Sequence, residues 1–284
     1  MIETEVLIIG GGPAGSACAT RLVENGVPCI VLDKHSFPRF KPCAGWLTPA
    51  VLKSLHLKSG EYPLGLTQYS SFDISIRAFH FRLPTHQYAI RRYEFDDWLL
   101  KHSGAEFHVH EVRNISMEND RYIVDGEFSA RYLIGAGGTH CPVYQTFFKP
   151  LQLRDPAGLI VAMEEEFQYD GDLSCRLWFF EGDLPGYSWY IPKVNGYLNI
   201  GIGGVEADLK KHGTSLRDHW NKFVEKLDKR GLVRGHEYQP SGHSYYLHQN
   251  IPAGRVGNAF IVGDSLGLAT VDMGEGIRPS IQSG

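Results

Sequence analysis

The chain has 284 residues, 43% hydrophobic and 21% charged, with a formal net charge of −4. That length buries a sizeable core in one large domain or two modest ones, and the charge gives no reason to expect nucleic acid binding, which needs a concentrated basic face. There is no apolar run long enough for a bilayer and no secretory leader pattern, and five scattered cysteines without a C-x-x-C pair suit a reducing, cytoplasmic setting.

Residues 5–9 form a short apolar run and read as a buried parallel strand. Gly10-Gly-Gly-Pro-Ala-Gly15 follows at once. Residues 16–25 read as a helix that Gly26 can end, and residues 27–32 as a second strand that runs into Asp33. A dinucleotide site needs this order. Gly10 permits the tight turn, Gly12 lets a pyrophosphate approach the backbone, and Gly15 lets helix and strand pack closely. The helix N-terminus after the turn has free N–H groups and a partial positive charge that suit phosphates. Asp33 lies about 20 residues beyond the central glycine, where a carboxylate accepts from a ribose hydroxyl. It disfavours a 2′-phosphate, so FAD or NAD suits the turn better than NADP.

Further along, residues 71–83 alternate, with Phe72, Ile74 and Ile76 and then Phe79, Phe81 and Leu83 apolar. Residues 158–168 and 175–204 read as more strands, and residues 220–227 as a helix. His108 and His110 share a strand face, but no Cys, Asp or Glu cluster completes a ligand set, and no metal is expected. Glu164-Glu-Glu166 reads as a solvated strand or turn. On a strand, Tyr187 and Trp189 share one face, and Ser188 and Tyr190 the other. Such an aromatic face either lines a cavity for a long apolar substrate or fills the sheet core. Consecutive strands after β-α alternation predict an antiparallel sheet in a separate lobe.

Several segments, in order, resemble the geranylgeranyl reductase family, within the flavoproteins that share the p-hydroxybenzoate hydroxylase fold. Residues 33–45 resemble D-K-x-x-F-P-R-x-K-x-C-x-G, and Arg92 to Leu99 resembles R-x-x-F-D-x-x-L. Residues 132–138 resemble the L-I-x-A-D-G strand and turn. Residues 258–267 resemble the G-D motif, and residues 271–277 the following D-P-x-x-G-E-G-I turn. Residues 185–193 resemble P-x-x-Y-x-W-x-F-P-K, with Ile191 in place of phenylalanine.

The resemblance implies FAD, contacted by Gly10, Gly12, Pro13, Ala14, Gly15, Asp33, Lys34, Arg39, Cys43, Ala44, Arg92, Ala136, Gly137, Gly263, Asp264, Gly274, Gly276 and Ile277. Arg91 is the adjacent alternative to Arg92, and Asp264 would hold the ribityl chain. It places Cys43 near the flavin as a catalytic candidate, although taken alone the thiol reads equally as a small buried group. It makes Tyr187, Trp189, Ile191 and Pro192 the lining of a substrate pocket.

The implied fold is α/β, a Rossmann-type FAD-binding domain (1–68, 92–155 and 253–284) with a discontinuous antiparallel-sheet substrate domain of α+β type (69–91 and 156–252). The implied reaction is hydride transfer from reduced flavin to a C=C bond of an apolar, isoprenoid-like small molecule. Residues 187–192 also resemble W-x-W-x-I-P of flavin-dependent halogenases, so a monooxygenase or halogenase is the alternative. A non-catalytic flavin-binding protein or fragment is the third reading. Ala136-Gly137-Gly138 departs from A-D-G, which leaves the external reductant open among NAD(P)H, ferredoxin or another electron donor. An apolar substrate leaves room for peripheral membrane contact. The sequence stops where a flavin-facing helix should begin, and a truncated C-terminus is expected.

Overall fold

The computed structural model describes residues 1–151, 153–249 and 253–284. Position 152, expected in the first domain, and positions 250–252, expected in the second, lie outside the described residues. The chain divides into two compact units. Met1–Phe40, Tyr93–Asp155 and Tyr245–Gly284 make the first, and Lys41–Arg92 and Pro156–Ser244 the second.

In chain order the elements are β1 (Ile2–Ile9), α1 (Pro13–Glu24), β2 (Cys29–Asp33), β3 (Trp46–Leu47), α2 (Pro49–Ser54), β4 (Thr67–Ile76), β5 (Phe79–Ala89), α3 (Arg92–His102) and β6 (Glu106–Val109). Then come β7 (Ile115–Glu118), β8 (Arg121–Val124), β9 (Phe128–Gly135), β10 (Leu159–Gln168), β11 (Arg176–Phe179), β12 (Gly186–Lys193) and β13 (Tyr197–Val205). The chain continues through α4 (Glu206–Lys211), α5 (Leu216–Lys229), β14 (Ser241–Tyr246), β15 (Arg255–Val256), β16 (Ala259–Ile261) and α6 (Ile277–Ser283).

In the first unit, β16, β9, β1, β2 and β6 lie side by side and parallel. Both faces are covered. Leu7, Ile9, Leu32 and Leu133 pack with Tyr122, Val124 and Phe148. Val6, Ile8, Val31 and Ile134 pack with Ala14, Cys18 and Ala19 of α1 and Leu100 of α3. Burial on both sides is why this strand reads as an unbroken apolar run rather than an alternation.

The sheet of the second unit runs β14-β10-β13-β12-β11-β4-β5-β3. Its pairings are antiparallel along β10-β13-β12-β11 and β4-β5-β3, and parallel between β11 and β4. One face is covered by α5, whose Trp220, Phe223 and Leu227 pack on Trp178, Tyr190, Leu198, Ile200 and Ile202. The helix begins at Leu216, ahead of the apolar period, because Ser215 and Asp218 form a capping box: Ser215 Oγ accepts from Asp218 N at 3.2 Å.

Two stretches group differently from the sequence expectation. Part of 41–68 belongs to the second sheet, because Trp46 and Leu47 pair with Ala89 and Tyr88 and β4 already starts at Thr67. Residues 245–249 group with the first unit, where Leu247 bridges to Ala269 and His248 N donates to Ala269 O at 2.6 Å. Among the described residues no helix is long and apolar enough to cross a membrane.

Candidate functional site

The turn between β1 and α1 is built from missing side chains. Gly10 has φ +114°, and a Cβ there would lie 2.4 Å from the Ala136 carbonyl oxygen. A Cβ on Gly15 would lie 1.8 Å from Gly10 O. At Gly12 the nearest atom to such a Cβ is Arg39 Nη2, at 3.6 Å. The turn is thus closed towards β9 and open towards a cation. Gly12 is the N-cap of α1 and Pro13 its first residue, so the N–H groups of Ala14 and Gly15 have no acceptor within the helix. Arg39 is held beside this turn by buried Asp96 (3.5 Å), and its guanidinium stands 4.7 Å from the centre of the Phe37 ring. Bare backbone, free N–H groups and a fixed cation fit a pyrophosphate.

Asp33 at the end of β2 accepts from Gly11 N at 2.9 Å and from His35 N at 3.0 Å. Its carboxylate therefore braces the glycine turn, a role additional to the expected ribose contact. Lys34 beside it is exposed.

Two more turns of the first unit carry expected cofactor residues. Ala136 N donates to Ile9 O at 2.8 Å, and Gly137 leads into a short turn at Gly138–His140. Gly263 and Asp264 follow β16, and a Cβ on Gly263 would lie 2.9 Å from that of Ala14. Gly276 comes within reach of Asp264, since a Cβ on it would lie 3.2 Å from Asp264 Oδ1. Gly274 (φ +65°) ends the loop before α6, whose first residue Ile277 is buried. Arg154 staples these turns together: it donates to Thr139 O (2.6 Å) and Ser265 O (2.5 Å) and lies 3.7 Å from the centre of the Tyr144 ring. Sequence reasoning missed Arg154, because a lone arginine carries no motif.

Cys43, Ala44 and Arg92 group with the second unit. There, strand register assembles one face of the sheet, the face opposite α5. Glu164, Gly201, Trp189, Leu177, Ile74 and Phe81 lie in one row across β10, β13, β12, β11, β4 and β5. Ala162, Gly203, Tyr187, Phe179, Ile76 and Phe79 lie in the next. Ile191 shares this face, whereas Pro192 alternates to the other, so three of the four expected pocket residues stand together. The indole of Trp189 lies over Gly201, where a Cβ would meet Trp189 Cζ2 at 2.1 Å. The rows pass from buried Trp189 (5% exposed) and Leu177 (1%) to exposed Phe79 (76%) and Phe81 (45%).

The β10 end of the face is charged. Glu164 is buried, and its Oε1 accepts from Cys43 N. Burial pushes its carboxyl up to about 7, against the pull of Lys193. Glu166 accepts from Lys193 Nζ at 2.6 Å and from Arg91 Nε at 2.9 Å. Burial works to raise the Glu166 carboxyl as well, but these two cations outweigh it and hold it below its ordinary value. Asn199 Oδ1 accepts from Trp189 Nε1 at 2.7 Å. Burial, helped by Lys41 and Arg92, pulls His243 down to about 3.

The solvated reading of Glu164-Glu-Glu166 is therefore corrected. Glu164 and Glu166 alternate onto the buried face, and Glu165 onto the other, where it meets His236 at 2.8 Å. The signal was present in the spacing, since acids at i and i+2 share a strand face. His108 and His110 pair with Glu106 (2.6 Å) and Asp125 (2.8 Å), and both rings stand edge-on to Phe128. Among the described residues no three His, Cys, Asp or Glu side chains gather as a metal site.

The sequence profile of an FAD binding domain matches residues 3–56. An uncharacterized protein of Methanosarcina barkeri is 32% identical, over 100% of this chain and 73% of its own length. A geranylgeranyl bacteriochlorophyll reductase-like protein from Thermoplasma acidophilum has the same fold, with a TM-score of 0.84 at 20% identity over 99% of this chain and 76% of that one. The chain belongs to the geranylgeranyl reductase-like family of FAD-dependent oxidoreductases. As a member of that family it is an oxidoreductase with FAD as cofactor, which sets aside the non-catalytic reading. Menaquinone reductase of Mycobacterium tuberculosis is 28% identical over 99% of this chain and 75% of its own length. The fold is shared more widely: the flavin-dependent halogenase CmlS has a TM-score of 0.74 at 19% identity, over 99% of this chain and 56% of that one.

Proposed function

We propose that this member of the family is a reductase that saturates a C=C bond of an apolar, isoprenoid-like substrate. The observation that carries the reading is the apolar face of the second unit, which crosses four strands from Trp189 and Tyr187 to Phe81 and Phe79. At ~4.8 Å per strand it runs for ~14 Å, long enough for an extended hydrocarbon segment and too long for a small polar metabolite. Two similar proteins, the menaquinone reductase and the geranylgeranyl bacteriochlorophyll reductase-like protein, carry reductase in their names. Bound FAD supplies the hydride. The chain's own contributions are binding and exclusion of water. The Gly10–Gly15 turn and Arg39 hold the pyrophosphate, and the aromatic face sheathes the apolar chain.

The test is anaerobic. Protein loaded with FAD and reduced with dithionite is incubated with a geranylgeranyl-bearing lipid, and the product is weighed by mass spectrometry. A gain of two hydrogens per reduced bond supports the reading, and an unchanged lipid overturns it.

A second reading is oxygen-dependent halogenation or hydroxylation. The run Trp189-Tyr-Ile-Pro192 and the fold shared with a halogenase favour it. Product formed in step with oxygen uptake, in the presence of halide and reduced flavin, would support it. Oxygen consumed without product counts against it.

A further inference from the structure

We infer that Glu164 is a positioning residue for Cys43: its buried carboxyl grips the loop that carries the thiol and, by gaining or losing a proton, sets how readily that thiol reacts. The proposal goes beyond the reductase reading and does not depend on it.

The geometry lies wholly within the second unit. Glu164 leaves β10 on the face opposite α5 and is 1% exposed. Its Oε1 accepts from the backbone N–H of Cys43, 121 positions away in sequence. Its Oε2 is also buried and, among the described residues, meets no partner at hydrogen-bond distance. An anion in that position keeps a charged oxygen out of water, a costly state that the neighbouring Asn199 side chain relieves only in part. A proton on Oε2 removes the charge and leaves Oε1 free to accept from the same amide.

The peptide on the other side of Cys43 is held as well. Asn199 Nδ2 donates to Cys43 O at 3.5 Å, and Asn199 is itself oriented by Trp189. Gly45 N lies 3.4 Å from Cys43 Sγ as a donor. The loop is thus fixed by β10, β12 and β13 together, and Glu164 is the member of that clamp that can change charge.

The charged groups around Glu164 do not cancel. Lys193 of β12 favours the anion, and Glu166, on β10 with Glu164, opposes it. Lys193 is already paired with Glu166, and Glu166 also with Arg91. Burial is the largest influence, and it places the change of charge near neutral pH. Below that point a neutral acid holds the Cys43 amide. Above it a carboxylate holds the amide more tightly, because charged acceptors make stronger hydrogen bonds. The more tightly the loop is held, the less freely the thiol can turn to attack.

The test is alkylation of the FAD-bound protein by iodoacetamide, followed at the Cys43 peptide by mass spectrometry from pH 6 to 8.5. Cys18, Cys29, Cys141 and Cys175 are buried, so Cys43 can be read separately. Glu164→Gln keeps the shape and the acceptor and cannot ionise. Equal rates at pH 6 and about fivefold faster alkylation of the variant at pH 8.5 are expected. Superimposable pH profiles overturn the proposal. A measurement on the unaltered protein guards against a variant that fails to fold. The infrared carbonyl stretch of a buried protonated carboxyl should be present at pH 6 and gone by pH 8.5, and its absence at pH 6 also overturns the proposal.

Discussion

The glycine turn of the first unit and the charged corner of the second make a site in opposite ways. The turn works by omission. Gly10, Gly12 and Gly15 remove side chains so that backbone N–H groups and Arg39 face the same space. Everything it needs, apart from Asp33 and Arg39, lies within six consecutive residues. The corner works by accumulation. Arg91, Glu164, Glu166, Lys193 and Asn199 come from four segments, and only the register of β10, β13 and β12 sets them side by side. A slip of one residue in that register would turn Glu164, Glu166, Lys193 or Asn199 to the other face and away from Arg91. A site made of backbone is written locally, and a site made of side chains is written in the pairing of strands.

The sharpest way to break this comparison is at Gly15. A methyl there would sit 1.8 Å from Gly10 O, so Gly15→Ala should leave the purified protein without flavin. The visible absorbance of the gel-filtered variant checks it, and stoichiometric flavin would show that the turn is not the cofactor seat. The corner should fail through stability instead. Glu166→Ala strands Lys193, whose side chain is 0% exposed, at a cost of about 3–5 kcal/mol in a urea titration. Pairing Glu166→Gln with Lys193→Met should recover most of that loss, because neither charge then remains. If the double variant is as unstable as Glu166→Ala, packing rather than charge holds the corner together.

A smaller effect follows from Glu164. Its carboxyl is raised from 4.5 to about 7 in the fold, so between those values the folded protein holds a proton that the unfolded chain has released. Stability from this group is therefore whole below about pH 4.5, falls as pH rises towards 7, and is flat beyond. The full span is at most ~3 kcal/mol. Glu164→Gln should remove that downward slope, so that the difference between the variant and the parent grows in the variant's favour from pH 5 to 8. A constant difference across that range would mean the carboxyl does not titrate in the fold.

The same contrast governs what could be read from the residues. The Rossmann-type unit was legible because a glycine spacing between a strand and a helix and an acid at a strand end are all short-range signals. The second sheet was legible from alternation in residues 71–83 and from the aromatic strand at 185–193. Its boundary was not, because β3 is two residues long and carries no period; only its pairing with β5 shows where it belongs. Glu164 and Glu166 were misread because a run of acids suggests solvent until the cations on other strands are known. Arg154 was invisible for a related reason: its acceptors are carbonyl oxygens, and every residue has one.

Trp189 rests on Gly201 with no room between them for a methyl group. The height of the indole is therefore set from beneath, by a position whose own side is turned towards the ring. A lineage could raise or tilt this floor, and so change what lies flat on it, by adding a single carbon at position 201 and altering none of the aromatic residues above. Selectivity encoded in this way would leave the visible surface intact while its relief drifted.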